Sequence, residues 1–335
     1  MRKNFLFAAA AAAVLGFCFS CAAQAPAAPA SAPAAQAAPA SDTGCPAPGE
    51  RHFPPGMFPG GPPRNMPPMP AETGPHKKRL LIWADNRNGF AQHDIAHAEA
   101  VIEEMGYTSG LWDSYIRTDS NIIAKRPKMT TGEPASGGPS LCNVDAIFFL
   151  GHREIDIDAG QKADLLWFVH DQGKGFVLAH TGVGAFESWP EFGEMIGARW
   201  DNHPWNTTDA KLIVNDAHFP GMEFKTGDSF KDEYYALKDF HADQAHVVLS
   251  LDTTGLDMTR PSVHPGDSLA LAYAKMYGKG RVFYSTFAHA PASWDDPRVR
   301  DLYMGAIKWA LGLTDSDVTP NPGVGAVIPA PAAAK

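Results

Sequence analysis

The chain has 335 residues, with 28 Lys and Arg against 37 Asp and Glu and a formal net charge of −9 at pH 7. With no basic patch beyond Lys77-Lys78-Arg79, this balance argues against a nucleic-acid partner. Arg2 and Lys3 followed by the apolar run Phe5–Phe19 read as a secretory signal, too short to anchor the mature chain in a bilayer. Small residues at Cys21-Ala22-Ala23 place cleavage before Gln24, so residues 1–23 are the expected signal and the product is periplasmic or secreted. Lipidation at Cys21 is the alternative, although Phe19 and Ser20 make a poor lipobox.

Residues 24–76 are rich in Ala, Pro and Gly and carry no hydrophobic period, which predicts a disordered, partly polyproline tether. Residues 314–335 have the same composition and the same expectation, leaving 77–313 as the folded unit. Cys18 and Cys21 fall in the signal, Cys45 in the tether and Cys142 just before a strand. Two cysteines so differently placed are a weak disulfide framework.

The folded unit opens on the apolar strand Arg79–Ala84, then a polar loop and a helix from His93 to Met105, which Gly106 is expected to stop. Thr108–Trp112 reads as a strand, 125–140 as a surface insertion, and Val144–Leu150 as a buried strand. Asp158 and Gln161 form a capping box for a helix to Asp171, followed by the strand Gly175–Ala179. The second half reads as strands at Ala210–Val214, Ala245–Leu251, Leu269–Lys275 and Arg281–Thr286, the last two a hairpin around Gly278-Lys279-Gly280. A helix with Pro297 in its first turn closes the unit and Gly312 ends it. Strands alternating with helices, and continuous apolar runs, indicate an α/β fold with a parallel sheet covered on both faces.

The strand Gly175–Ala179 stops on His180 in a tight turn, where a nucleophile elbow would put Ser or Cys. His93 follows the first strand, His203 lies in Asp201-Asn202-His203-Pro204-Trp205, and His289 follows the strand Arg281–Thr286. Loops after parallel strands gather on one edge of a sheet, which predicts a single crevice for these imidazoles, with carboxylates from Asp232-Glu233-Tyr234-Tyr235. Such a set suits either a zinc-like divalent ion or acid–base groups titrating near neutrality. No H-E-x-x-H motif places two ligands and a general base on one helical turn. His152, His218, His241, His246 and His264 read as structural. Trp189, Trp200, Trp205 and Trp294 read either as sugar-stacking platforms or as packing. The Gly182-Val183-Gly184 turn reads as a demand for positive φ rather than an anion cradle.

Taken in order, Gly89-Phe90 with His93-Asp94, Gly175 to His180, Trp189-Pro190-Glu191-Phe192, Asn202-His203-Pro204-Trp205, Asp232-Glu233-Tyr234-Tyr235, Ala288-His289 and Trp294-Asp295-Asp296-Pro297-Arg298 resemble the trehalose-utilisation (ThuA-like) family of the class I glutamine amidotransferase-like superfamily. The resemblance spans residues 79–313. It implies a flavodoxin-like three-layer fold, mostly parallel with antiparallel strands in the C-terminal half, and a link to trehalose or keto-sugar metabolism. Where amidotransferases carry their Cys, this chain has His180, so glutaminase chemistry is not implied. Val183-Gly184 stand where the family often has an acidic residue. On this reading His180, His289 and Glu233 are the catalytic candidates and His93, Trp205, Tyr234 and Trp294 the substrate-binding ones. His203, His180 and His289 are the metal candidates. An enzyme acting on a sugar, a non-catalytic carbohydrate-binding module and a scaffold all remain compatible with the sequence.

Overall fold

The computed structural model describes residues 44–45, 77–85, 94–135, 138–325 and 328. The expected signal, the tether apart from Gly44 and Cys45, and His93 lie outside the described residues. Among those described, no helix is long and apolar enough to cross a membrane.

The elements in chain order are β1 (Lys78–Trp83), α1 (Ile95–Ser109), β2 (Trp112–Arg117), β3 (Ala146–Phe149), α2 (Ala159–His170), β4 (Gly175–Ala179), a 3-10 turn (His180–Gly184) and α3 (Pro190–Ile196). Then follow β5 (Arg199–Asn202), β6 (Thr207–Val214), β7 (Ser229–Glu233), β8 (Ala236–Lys238), β9 (His246–Asp252), β10 (Ala270–Tyr277), β11 (Gly280–Ser285), α4 (Pro291–Trp294) and α5 (Pro297–Ala310).

Nine strands form one sheet in the order β2-β1-β3-β4-β11-β10-β9-β6-β7. From β2 to β11 neighbours run parallel; from β11 through β7 every pairing is antiparallel. The central strands β3 and β4 are buried along their whole length, because both faces of the sheet are covered. Helices α1 and α5 put Val101, Ile102, Leu302 and Ile307 into the core on one face. On the other, α2 and α3 contribute Leu165, Phe168, Phe192 and Ile196. This is the three-layer α/β sandwich expected, and β5 and β8 add a separate two-stranded ribbon.

Several elements differ from expectation for identifiable reasons. Gly106 does not stop α1: a Cβ there would meet the Trp112 indole at 2.3 Å, so this glycine admits a neighbouring side chain in mid-helix. The helix ends at Gly110, whose φ of 66° is the left-handed cap, and the second strand therefore starts only at Trp112. Cys45 and Cys142 do pair, with Cα atoms 5.7 Å apart, and Arg126 donates to the Gly44 carbonyl beside the bridge. Nor does the chain leave the domain at Leu313. Asn321 brackets Val247 of β9, its Oδ1 accepting from the Val247 N–H and its Nδ2 donating to the carbonyl. Ile328 is buried and exchanges backbone bonds with Gly266 and Asp267.

Candidate functional site

The parallel half of the sheet aims the ends of β4 and β11 at the same place, and β7 joins them through its last residue. His180 follows β4 directly, is fully buried, and has φ 42° in the left-handed region that a β-carbon disfavours. It is this residue, and not Gly182 or Gly184, that takes the positive φ of the turn. The glycines serve close approach: a Cβ on Gly182 would stand 3.3 Å from Phe149, and one on Gly184 3.4 Å from Trp200. Thr181 fixes the turn by donating its hydroxyl to the Gly151 carbonyl.

His180 Nδ1 lies 2.6 Å from the carbonyl oxygen of Thr286, the residue after β11. A carbonyl only accepts, so Nδ1 carries a proton and Nε2 is turned to the other side of the ring. There it meets three groups. His289 Nδ1 is 3.2 Å away, Glu233 Oε2 3.3 Å and the Tyr235 hydroxyl 2.9 Å. The remaining separation, His289 Nδ1 to Glu233 Oε2, is also 3.3 Å. His180, Glu233 and His289 thus present one donor atom each at the corners of a nearly equilateral triangle. Such a triangle has a point about 2.1 Å from all three corners and about 0.9 Å off their plane, close to the offset of about 0.7 Å in a tetrahedral zinc site.

The electrostatics reinforce the pairing. Burial opposes ionisation of Glu233, yet the two imidazoles beside it outweigh that and hold its carboxyl well below the usual range. The Glu233 hydrogen bond in turn raises the His289 pKa from 6.5 against the effect of burial, with the charges of Glu233, Asp232 and Asp94 adding to the rise. Asp232 is buried and its carboxyl is pushed up by desolvation. Its Oδ1 accepts the backbone N–H groups of Glu233 and His289, which fixes the two side-chain bearers relative to each other. Burial first, then the Glu233 charge, pushes the Tyr235 phenol up, so its hydroxyl stays protonated as a donor.

Glu233 and Tyr235 reach a cavity of about 700 Å³ whose wall includes Arg153, Glu154, Thr181, Glu187, Trp200 and His203. His180 and His289 are not among its lining residues, although the His289 side chain, in contact with Glu233, is partly exposed. His203 Nδ1 is 3.8 Å from Glu233 Oε1 and 3.0 Å from Asn206 Oδ1, so it borders the trio without supplying a fourth corner.

The structure therefore brings together His180, Glu233 and His289, with Glu233 and not His203 as third donor. It does not bring in Trp205, Trp294 or Tyr234. Trp205 is 6% exposed and donates to the Asp257 carbonyl. Trp294 is fully buried and stacks on Tyr303 at 5.0 Å. Tyr234 points into the core, where its hydroxyl donates to the Phe230 carbonyl at 2.5 Å. Tyr235 is the residue that sequence reasoning missed. The signal was present: side chains two apart share a face of an extended chain, so Tyr235 accompanies Glu233 and Tyr234 cannot. Trp200, in the cavity wall, was named only among four tryptophans.

The family model for trehalose utilisation, ThuA, matches residues 79–310. Among solved structures, a ThuA-like protein from Bacteroides uniformis superposes with a TM-score of 0.54 at 16% identity, covering 72% of this chain and 95% of the other. A ThuA-like protein from Parabacteroides merdae gives a TM-score of 0.49 at 16% identity, covering 76% and 98%. A GMP synthase-like protein from Thermoplasma acidophilum gives 0.43 at 11%, covering 72% and 97%. No curated protein sequence matches significantly. With its sheet order, helical layers and a family match over most of the folded unit, the chain belongs to the ThuA, trehalose-utilisation, family.

Proposed function

We propose that this chain is an exported enzyme that binds a divalent cation at His180, Glu233 and His289 and carries out acid–base chemistry on a sugar or sugar derivative in the adjoining cavity. The observation that carries the reading is the donor triangle with sides of 3.2, 3.3 and 3.3 Å. His180 supplies Nε2 because the Thr286 carbonyl occupies Nδ1, the usual arrangement by which a backbone carbonyl orients a ligating imidazole. A cation there would polarise a carbonyl or hydroxyl oxygen of the substrate. The Tyr235 hydroxyl and the His203 imidazole stand beside Glu233 to donate or move protons. A cavity of about 700 Å³ lies within the range of small-molecule sites, and its wall sets the hydrogen-bonding groups of Arg153, Glu154, Glu187 and His203 beside the Trp200 and Tyr235 rings, a combination that suits a sugar.

A module that binds sugar only through a tryptophan platform is less well supported, because of the four candidate tryptophans Trp200 alone lines the cavity while Trp189, Trp205 and Trp294 are buried. Export is supported by the Cys45–Cys142 disulfide, since such bonds persist in oxidising compartments.

The test is a panel of disaccharides and their keto derivatives, assayed with and without chelator. Turnover of one of them that chelation abolishes and zinc restores is the expected result. Turnover indifferent to chelation would leave acid–base chemistry and remove the cation. Tight binding without turnover would contradict catalysis.

A further inference from the structure

A second cluster of the same donor types lies outside the cavity. Asp201 sits in β5 between Trp200 and Asn202. His264 and Asp267 belong to the segment that leads into β10. His264 Nδ1 is 2.5 Å from Asp201 Oδ2 and 4.0 Å from Asp267 Oδ2, and the three donor atoms all lie within 4.8 Å of one another.

Two features set this cluster apart from the acidic groups of an ordinary surface. Asp267 is only 7% exposed, and its Oδ2, the atom facing the cluster, accepts no hydrogen bond. A buried carboxylate oxygen without a donor is costly while both acids are ionised, and its neighbour here is a second carboxyl with which it can share only a proton or a cation. Burial and the adjacent Asp201 carboxyl push the Asp267 pKa up to about 6, the electrostatic expression of that crowding.

The backbone holds the carboxylates in place. Asp267 N–H donates to the His264 carbonyl, and Ile328 N–H donates to the Asp267 carbonyl. Ser268 exchanges two backbone bonds with Leu237 of β8, and Leu237 pairs with Trp200 of β5 beside Asp201. Only the imidazole has freedom to move, since the His264 side chain is half exposed.

We propose that Asp201, His264 and Asp267 form a second divalent-cation site that takes a zinc ion and clamps the β5–β8 ribbon to the segment preceding β10. Two carboxylates and one imidazole neutralise a divalent charge and offer the mixed oxygen and nitrogen donors that zinc accepts. Binding displaces the proton between His264 and Asp201 and opens their 2.5 Å contact to the roughly 3 Å or more that ligands on one zinc ion require. The ion would fix the ribbon that carries Trp200 and leads directly into His203, so its role is to hold part of the cavity wall.

The test is zinc titration of the chelator-stripped full chain by calorimetry, in wild type, Asp267→Asn, His264→Gln and Glu233→Gln. Loss from Asp267→Asn and His264→Gln of one zinc equivalent that Glu233→Gln retains is the expected result, with affinity for that equivalent at least tenfold weaker. His264→Gln alters a half-exposed side chain and keeps the test valid should Asp267→Asn fail to fold. If both variants bind zinc with the wild-type stoichiometry and affinity, the proposal is wrong. A wild type whose only zinc is lost in Glu233→Gln would equally overturn it. If instead Glu233→Gln changes nothing and Asp267→Asn removes all zinc, this site stands and the cation in the proposed catalytic site falls.

Discussion

His180 donates its Nδ1 proton to the Thr286 carbonyl at 2.6 Å, and that one bond decides which nitrogen of the elbow imidazole faces Glu233. Thr286 follows β11 and His180 follows β4, neighbouring parallel strands, so the orientation of the ring is set by the register of the sheet. Because His180 also holds φ 42°, replacements separate its chemical role from its backbone role. His180→Gly is expected to be more stable than His180→Ala by about 1 kcal/mol, since glycine adopts positive φ without penalty. Both should lose cation binding and sugar turnover. Denaturant melts and zinc titration of the two variants check this. An alanine variant as stable as the glycine one would mean the turn relaxes away from the left-handed region.

A pH dependence follows from Glu233 and His289. The raised His289 pKa means that its pairing stabilises the fold fully below 6.5 and is lost as pH rises through the folded value. The lowered Glu233 pKa gives stabilisation that is present above 4.5 and lost as pH falls through the folded value. In chelated protein the pair therefore contributes most between 4.5 and 6.5. Glu233→Gln should lower the melting temperature most inside this window and flatten its fall on either side, and NMR titration should show His289 returning toward 6.5. An unchanged His289 titration in the variant would contradict the pairing.

Tyr235 and Tyr234 give a paired test of the site's boundary. Tyr235→Phe removes the hydroxyl 2.9 Å from His180 Nε2 and should lower turnover roughly 10²-fold with little change in stability. Tyr234→Phe leaves the Phe230 carbonyl without its donor, costs about 1–2 kcal/mol and spares turnover. The reverse pattern would move the site to the other face of the chain.

The apolar strands β1, β3 and β4 and the capped helices α2 and α5 were legible because continuous burial, a capping box and an N-terminal proline act locally. The end of α1 was not, since Gly106 answers to the Trp112 indole packed against it. The short polar strands β5 and β7 carry no apolar run, so the elements that deliver Glu233, Trp200 and Asp201 could be found only through their motifs. His180 and His289 were legible from strand ends. The choice of Glu233 over His203 as third donor depends on distances that no spacing encodes. The strap formed by Asn321 and Ile328 was hidden by its Pro and Ala neighbours, and the Cys45–Cys142 pair by a separation of 97 residues.

That disulfide bears on chemistry as well as stability. Cys142 precedes β3, at the opposite edge of the parallel strands from the turn after β4 where an amidotransferase nucleophile would stand, and its sulfur is bonded to Cys45. No glutaminase activity and no labelling by glutamine-analogue electrophiles are expected. Cys142→Ser should lower stability by about 2–5 kcal/mol and leave sugar turnover intact. Electrophile labelling that maps to Cys142 and abolishes turnover would contradict this.

The coordination sphere of zinc in the His264→Gln variant tests the central claim most directly. With the second proposed site removed, X-ray absorption should show one equivalent bound by two imidazole nitrogens and a carboxylate oxygen at about 2.0–2.2 Å, all lost in the further variant His180→Ala. Stoichiometric zinc that survives His180→Ala, or no stoichiometric zinc at all, would contradict the proposal that His180, Glu233 and His289 together form the centre of the site.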